Sequence, residues 1–438
     1  MGGTRRRTKA KVLTITAGLV AAAALSTGPT GAPAGAVPAS PAHWVASWTA
    51  SPTDSFVPTD AAGLPVPQVL AHESLRMIVT PHLGGTTLRV HLSNRFGRRP
   101  AVFGHVTVGL ADSHAVSSVT TVTFGGSTRV IVAVGADAVS DPVALPFSAF
   151  DPLAVSIYVP GVQILPTKHW NANATSRWAP PGSGDLTAVT SDNRFSLRTE
   201  AWLYVDGVDV LAPSPTASIV AFGDSITDGY VAATPLSQPV SLAIADKNGR
   251  YPDDLQRRLA AADVPLSVVN AGIGSNRLVT DGEPLMMGLS GLQRFEQDAL
   301  DVAGVKGVLL VEGINDLGLP PATTTAADLI AGYEQAITMA HAKGLKIWLG
   351  TLSPASNAVF DGTITAPKSE ISRQQVNAWI RSQALADGVV DFDAVLRDPH
   401  DPHVLDPRYA GPDHLHPNLA GYQAMADAVP LAMLESAL

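Results

Sequence analysis

Between residues 44 and 212, apolar and polar side chains alternate in short runs. In TTLRVHLSN, Leu88, Val90 and Leu92 alternate with polar residues, which is the period that a half-buried strand requires. Similar runs, separated by Gly, Pro, Asp and Asn, are VTTVTFGG, RVIVAV, LAVSIYVPG and AWLYVDGVDVL. Many short strands with turn residues between them are typical of antiparallel sheets packed face to face. We therefore predict an all-β domain, sandwich-like or jelly-roll-like, over residues 44–212.

The pattern changes after Pro213-Ser214-Pro215, which we interpret as a hinge. The strands predicted beyond it are SIVAFG, LSVVNAG, GVLLVEG, KIWLGTLSP and VVDFDAV. The predicted helices are YPDDLQRRLAAAD, GLQRFEQDALDVA, TAADLIAGYEQAITMAHAKG, SEISRQQVNAWIRSQALADG and NLAGYQAMADAVPLAMLESAL. Continuous apolar strands separated by amphipathic helices indicate a parallel sheet covered on both faces. Residues 217–438 are therefore predicted to form a doubly wound, flavodoxin-like α/β domain, and the chain is long enough for two domains.

The first 36 residues have the pattern of an export signal. Basic residues without any acidic residue precede Val12, an apolar stretch continues to Leu25, and small residues lead to Ala36. The apolar stretch is shorter than the roughly 20 residues that span a bilayer, which disfavours a membrane anchor. We predict that residues 1–36 are a signal peptide cleaved near Ala36 and that the mature protein is secreted.

Charge and cysteine content limit the possible partners. The chain has 29 basic and 38 acidic residues, and the predicted signal carries five basic residues and no acidic ones. The mature chain therefore has 24 basic and 38 acidic residues, a net charge of −14. Such a surface repels phosphate backbones, so we expect no nucleic-acid partner. The chain has no cysteine, which excludes a thiol nucleophile and cysteine-ligated zinc.

Residues with catalytic potential follow the predicted strands of the α/β domain. Ser225 follows the first strand, Gly272 ends the second, Asn315 follows the third, and Asp413 and His416 precede the last helix. In a doubly wound sheet, ligands bind at the carboxyl ends of the strands. We therefore expect these five residues to meet at one edge of the sheet.

These residue types fit the cleavage of an acyl bond by a serine nucleophile. A serine hydroxyl becomes a good nucleophile when a histidine takes its proton, and Ser225 and His416 supply that pair. Asp413, three residues before His416, is suited to orient the imidazole. We predict three donors for the oxyanion: the backbone N–H groups of Ser225 and Gly272 and the side-chain amide of Asn315. The alternative for Asn315 is a cap on the helix that follows it.

The same residues resemble the sequence blocks of the SGNH hydrolases, also called the GDSL esterase family. The first block is similar to GDSIT, which contains Ser225, with Ile in place of the namesake Leu. Gly272 stands in the second block, Asn315 in the third, and Asp413 and His416 in the last. The upstream half, beginning WVASWTASP, resembles the β-rich module that precedes this domain in many secreted bacterial members.

The resemblance implies a secreted serine esterase that hydrolyses carboxylic esters through an acyl-enzyme and needs no metal or organic cofactor. We expect short acyl groups, such as O-acetyl on an extracellular carbohydrate. One alternative is a lipase or phospholipase that acts on longer acyl chains. A second alternative is a carbohydrate-binding protein whose catalytic half has lapsed.

Tryptophans bear on the carbohydrate hypothesis. Five of the seven lie in the β-rich half, where they either stack on sugar rings or fill the core. These five are Trp44, Trp48, Trp170, Trp178 and Trp202.

Overall fold

The computed structural model of the protein describes residue 1 and residues 41–282, 287–360 and 366–438. The described residues from 41 to 438 belong to a single compact unit. The predicted signal peptide and its cleavage position near Ala36 lie outside the described residues, apart from Met1. None of the helices in the described ranges is long and apolar enough to cross a membrane.

Short strands dominate the first half of the chain. In order they are β1 (Ala42–Thr49), β2 (Val69–Val79), β3 (Gly85–Ser93), β4 (Ala101–Phe103), β5 (His105–Asp112), β6 (Ala115–Val122), β7 (Val130–Val132), β8 (Asp137–Val139), β9 (Val143–Phe147), β10 (Leu153–Ile164), β11 (Lys168–His169), β12 (Ser176–Trp178), β13 (Leu197–Thr199), β14 (Trp202–Leu203) and β15 (Val205–Pro213).

These strands form two main antiparallel sheets. One has the order β1-β15-β3-β8 with β9 also paired to β3, and the other has the order β13-β12-β2-β10-β5-β6. Leu88, Val90 and Leu92 of β3 are buried while the residues between them are partly exposed, as their alternation predicts. They share one hydrophobic core with Met77 of β2 and Val155 of β10 in the facing sheet. The predicted antiparallel, β-rich region is confirmed.

The second half alternates strands and helices. Its strands are β16 (Ala217–Gly223), β17 (Leu266–Gly272), β18 (Val305–Val311), β19 (Lys346–Gly350) and β20 (Gly388–Val390). Its helices are α1 (Ser225–Asp228), α2 (Tyr251–Ala261), α3 (Gly291–Phe295), α4 (Ile314–Gly318), α5 (Ala326–Ala342), α6 (Ser369–Ser382), α7 (Phe392–Leu396), α8 (Leu419–Ala428) and α9 (Leu431–Glu435).

The five strands of this half form one parallel sheet with the order β17-β16-β18-β19-β20. Successive side chains of β16 enter different cores: Ile219 packs in the core that contains α2 and α8, and Val220 in the core that contains α5 and α6. Both faces of the sheet are therefore covered by helices, which explains why the strand sequences are continuously apolar. The predicted doubly wound, flavodoxin-like fold is confirmed.

Two predicted elements differ from the structure. VVDFDAV was predicted to be one strand, but the strand ends at Val390 and α7 begins at Phe392. The side chain of Asp391 accepts a hydrogen bond from the N–H of Ala394 and so starts the helix. The final predicted helix is two helices, because Pro430 stands between α8 and α9 and its ring lacks the N–H that a continuous helix requires.

The two halves contact each other through buried polar groups. The backbone N–H of Ala46 in β1 donates to the carbonyl of Ala303 at 2.9 Å. Nε2 of His82 lies 3.0 Å from Oδ1 of Asp253 in α2. The predicted boundary between residues 212 and 217 falls in the turn between β15 and β16.

Candidate active site

The register of the parallel sheet brings the catalytic loops together. Gly223, at the end of β16, pairs with Gly272 of β17 on one side and with Val311 of β18 on the other. Helix α1 starts at Ser225, directly after β16, and α4 carries Asn315 directly after β18. Loops that follow three neighbouring strands therefore meet at the carboxyl edge of the sheet, where ligands bind in this type of fold.

Ser225, His416 and Asp413 form a continuous hydrogen-bonded chain. The Oγ of Ser225 lies 2.8 Å from Nε2 of His416, and Nδ1 of His416 lies 2.6 Å from Oδ2 of Asp413. The other carboxylate oxygen of Asp413 accepts from the backbone N–H groups of Leu415 and His416. Burial raises the pKa of Asp413, but its interactions with His416 and the two backbone hydrogen bonds outweigh burial and lower that pKa to about 2.

This chain of contacts fixes the tautomer of the base. Because the Asp413 carboxylate only accepts, Nδ1 of His416 carries the hydrogen that donates to it. Nε2 is then left to accept the proton of the Ser225 hydroxyl. His414, the neighbouring histidine, is exposed, whereas His416 is buried. The spacing of Asp413 and His416 thus produces the contact that a nucleophilic serine needs.

The nucleophile turn also presents a backbone donor. Asp224 caps α1 by accepting a hydrogen bond of 2.9 Å from the N–H of Ile226. Ser225 follows as the first residue of the helix, and N–H groups in a first helical turn have no acceptor within the helix. The Ser225 N–H is therefore suited to the oxyanion donor role predicted for it.

Asn315 lies inside α4, whose N-cap is Gly313, and no side chain caps this helix. The Nδ2 of Asn315 instead donates across to the backbone carbonyl of Asn276 at 2.9 Å. One hydrogen of the amide is used in this bond and a second remains for another acceptor. This geometry does not support the helix-cap alternative, and it is compatible with the predicted oxyanion contact.

Gly272 has a different role from the one predicted. Its backbone N–H, which we expected to bind the oxyanion, donates to Oδ1 of Asn270 at 2.8 Å. A β-carbon at Gly272 would overlap the backbone of Thr227 and Asp228 in the nucleophile turn. Glycine is therefore required here because two backbone segments pack closely, and the structure does not support an oxyanion role for its N–H.

Arg294 fixes the carboxyl ends of β16 and β17 and the loop that follows β17. Its guanidinium donates to the carbonyl oxygens of Gly223 at 2.9 Å and Ala271 at 2.7 Å, and to Oδ1 of Asn276 at 2.7 Å. It also packs 3.9 Å from the ring centroid of Phe222. Since Asn276 in turn accepts from Asn315, Arg294 supports both the nucleophile strand and the amide.

No pattern in the sequence predicted this supporting role of Arg294 and Asn276. Asn276 stands in the NAGIGSNR loop, where the sequence pattern points to Gly272 and not to the asparagine. Arg294 is 71 residues from Gly223 in sequence and lies in a short helix whose pattern shows only an amphipathic face. Arg277, in the same loop as Asn276, donates to the carbonyl of Pro320 at 2.8 Å.

Three carboxyl groups are buried beneath these loops. Burial raises the pKa of Asp224 to about 7, against the hydrogen bond that it accepts from Ile226. Burial likewise raises the pKa of Asp316 to about 6, although it accepts from two backbone N–H groups. Glu312 is fully buried, and burial raises its pKa to about 8. Neither Glu312 oxygen has a hydrogen-bond partner within the described residues, but Oε1 lies 3.7 Å from the Arg294 guanidinium, whose charge offsets part of the effect of burial.

Four of the five tryptophans in the β-rich half fill the interior. Trp48, Trp170, Trp178 and Trp202 are all buried, and Trp44 alone is partly exposed. Buried rings cannot form a sugar-stacking surface, so the core alternative applies to these four. In the described residues, no group of three or more His, Asp or Glu side chains could hold a metal ion.

A doubly wound sheet with a Ser–His–Asp chain at its carboxyl edge has the arrangement of a serine hydrolase. The model of the GDSL-like lipase/acylhydrolase family matches residues 221–424, which include Ser225, Asn315, Asp413 and His416. The α/β half of the chain therefore belongs to this family, and the resemblance to the SGNH hydrolases is confirmed. A comparison with curated proteins finds no significant match.

Solved structures similar to this chain include three bacterial proteins. A GDSL-like lipase from Bacteroides thetaiotaomicron is 18% identical, with a TM-score of 0.38 over 51% of this chain and 91% of that one. An aryl esterase from M. smegmatis is 18% identical, with a TM-score of 0.39 over 51% and 100%. A carbohydrate acetylesterase family member from Sinorhizobium meliloti is 17% identical, with a TM-score of 0.39 over 51% and 100%.

Proposed function

We propose that the protein hydrolyses carboxylic esters through a covalent acyl-enzyme on Ser225. The observation that carries this proposal is the pair of short contacts from Ser225 to His416 and from His416 to Asp413, 2.8 and 2.6 Å long. Membership of the α/β half in an acylhydrolase family supports the same reaction class. The intact chain of contacts disfavours a carbohydrate-binding protein with a lapsed catalytic half.

The reaction proceeds in two acyl transfers. Ser225 Oγ attacks the ester carbonyl carbon while His416 Nε2 takes the hydroxyl proton, and negative charge develops on the carbonyl oxygen. The Ser225 N–H and the Asn315 amide stabilise that oxygen. The C–O bond to the alcohol breaks, and His416 returns the proton to the leaving oxygen. Water, deprotonated by His416, then attacks the acyl carbon, and the carboxylic acid leaves as Ser225 regains its proton.

We propose short acyl groups, such as acetyl, as the preferred substrates. No long apolar segment that could serve as a lid stands near Ser225, Asn315 or His416 in the sequence, which disfavours an interfacial lipase. Extracellular carbohydrate is the proposed alcohol, on the basis of the predicted export signal and the acidic mature chain; the buried tryptophans add no support.

A series of p-nitrophenyl esters from acetate to decanoate tests the reaction and the chain length together. We expect kcat/KM to be highest for acetate or propionate and to fall as the chain lengthens. A steady rise toward decanoate would favour the lipase alternative. No turnover of any ester would contradict the proposed hydrolysis itself. Acetylated xylan and phospholipid, assayed in parallel, separate the two alcohol classes.

We further propose that the protein is exported and cleaved near Ala36. Expression of the full chain in a secreting bacterial host should release a shorter protein into the medium. Its N-terminal sequence should begin within a few residues of position 37. Intact protein retained in the cells, with Met1 still present, would contradict this proposal.

A further inference from the structure

The β-rich half of the chain contacts the turn that carries the nucleophile. Nε2 of His169, in β11, lies 3.0 Å from Oδ1 of Asp228, the last residue of α1. Both side chains are buried, with 5% and 3% of their surfaces exposed. Asp228 is three residues after Ser225. This contact therefore joins the first half of the chain to the one-turn helix that begins with the nucleophile.

His169 is held in one orientation by its surroundings. Its Nδ1 lies 2.8 Å from the backbone carbonyl of Ser51, and its Nε2 also lies 3.2 Å from the carbonyl of Asn171. The imidazole packs against the ring of Trp202, with 5.4 Å between centroids. Protein groups therefore surround both ring nitrogens, and Nε2 lies between the Asp228 carboxylate and the Asn171 carbonyl.

Residues next to His169 make further contacts with the same turn. The Nδ2 of Asn173 donates to the backbone carbonyl of Gly229 at 2.8 Å. Arg250 links the two halves, because Nε donates to the carbonyl of Asp228 at 2.8 Å and Nη2 donates to the carbonyl of Ala172. The nucleophile turn is thus bound by side chains of the β-rich half at two successive residues, and Arg250 joins it to the Ala172 backbone.

The position of this turn determines the reacting geometry. Gly229, with a φ of 83°, and Tyr230 donate their backbone N–H groups to the Ser225 carbonyl at 3.0 and 2.9 Å. The Tyr230 ring lies 4.7 Å from the imidazole of His416. A shift of the turn therefore moves Ser225 together with Tyr230, whose ring packs on the His416 imidazole that acts as the base. Misplacement of reacting groups by 1 Å can reduce a rate by about 10².

We infer that His169 is a positioning residue for the acyl transfer and that the β-rich half completes the active site. His169 acts through Asp228: it holds the turn at the position where Ser225 Oγ reaches His416 Nε2. The inference rests on the nucleophilic role of Ser225 in the proposed function. It assigns His169 no contact with the substrate.

His82 provides a matched control. It also lies in the β-rich half, is buried, and places Nε2 3.0 Å from a carboxylate of the other half, that of Asp253. Its Nδ1 lies 2.5 Å from the carbonyl of Val268. His82 thus makes the same kind of link as His169, but to α2 and β17 instead of the nucleophile turn. Removal of either imidazole should lower the melting temperature by a similar amount.

The test compares His169→Ala with His82→Ala in the full chain, using a fluorophosphonate and p-nitrophenyl acetate. In the fluorophosphonate reaction, Ser225 Oγ forms a P–O bond, fluoride leaves and the serine proton passes to His416. For His169→Ala, we expect the phosphonylation rate constant and kcat to fall by about 10- to 100-fold per folded molecule. KM should change less than about threefold, since substrate contacts remain. His82→Ala should retain both rates.

Equal rates in the two folded variants would overturn the inference. If His169→Ala does not fold, Asn173→Asp replaces it: the carboxylate keeps the shape but cannot donate to Gly229, and a smaller loss in the same direction is expected. If native protein is phosphonylated at Ser225 yet hydrolyses no carboxylic ester, the proposed function fails while the comparison of His169 with His82 still decides the inference. No phosphonylation of native Ser225 would contradict both.

Discussion

The side-chain amide of Asn315 donates to the backbone carbonyl of Asn276, 2.9 Å away on a loop that follows a strand two positions away in the sheet. This bond orients one N–H of the amide toward protein and leaves the other for substrate. The contact links α4, after β18, to the loop after β17. The orientation of the Asn315 side chain therefore depends on both of these segments being folded at the edge of the sheet.

Substitution of Asn315 should therefore affect turnover more than stability. We expect Asn315→Ala to lower kcat by about 10²–10³, the scale for removal of one oxyanion donor, with little change in KM. Asn315→Asp should be at least as slow, because a carboxylate repels the oxyanion. Asn94→Ala removes a buried amide from the β-rich half and serves as the control, with altered stability and native kcat. Near-native kcat in Asn315→Asp would remove Asn315 from the catalytic residues.

Asp413→Asn tests the orientation of the base. The amide has the size of the carboxylate but no charge, so it no longer favours the tautomer with hydrogen on Nδ1 of His416. We expect kcat to fall by about 10³–10⁴ with the fold intact. Steady-state kinetics and circular dichroism of the purified variant check both parts. A loss of less than tenfold in kcat would show that the carboxylate is dispensable.

Arg294→Lys tests the support beneath the site. A lysine retains the charge but cannot reach the carbonyls of Gly223 and Ala271 and the side chain of Asn276 together. We expect at least a tenfold loss of kcat and a lower melting temperature. Arg76→Lys, at a buried arginine of the β-rich half, is the control and should lower only the melting temperature. Parallel losses of stability with native kcat in both variants would contradict a supporting role in catalysis.

The parts of the fold that follow from local pattern were predictable. The apolar run that ends at Gly223 is buried on both faces of the sheet, so its sequence alone indicates a central parallel strand. Asp413 and His416 are three residues apart, and one turn brings their side chains into contact. Their spacing alone therefore predicted the contact between the Asp413 carboxylate and the His416 imidazole.

The parts that depend on contacts distant in sequence were not predictable. The N–H of Gly272 is bound by a side chain two residues earlier, and no pattern distinguishes that bond from a free donor. His169 meets Asp228 across 59 residues and between two regions of different fold. Phe392 begins a helix within an apolar run that also fits a strand, because the preceding Asp391 caps it.

Glu312 should make stability depend on pH. Its pKa is raised from 4.5 to about 8, so the folded chain binds this proton more tightly than the unfolded chain does. The free energy of unfolding should therefore fall as the pH rises from about 5 to about 8. Glu312→Gln stays neutral and should show a shallower fall, whereas exposed Glu435→Gln should match the native protein. Urea unfolding across this pH range measures the slopes. An unchanged slope in Glu312→Gln would contradict the buried, protonated state.

Covalent catalysis by Ser225 is the central step of the proposed mechanism, and trapping the acyl-enzyme tests it directly. Native protein is mixed with p-nitrophenyl acetate, quenched in acid within the first turnover and digested for mass spectrometry. We predict one acetyl group on the peptide that contains Ser225, a burst of one p-nitrophenolate per active site if deacylation is slower, and neither signal in Ser225→Ala. Acetyl transfer to another residue, or undiminished turnover by Ser225→Ala, would contradict covalent catalysis by Ser225.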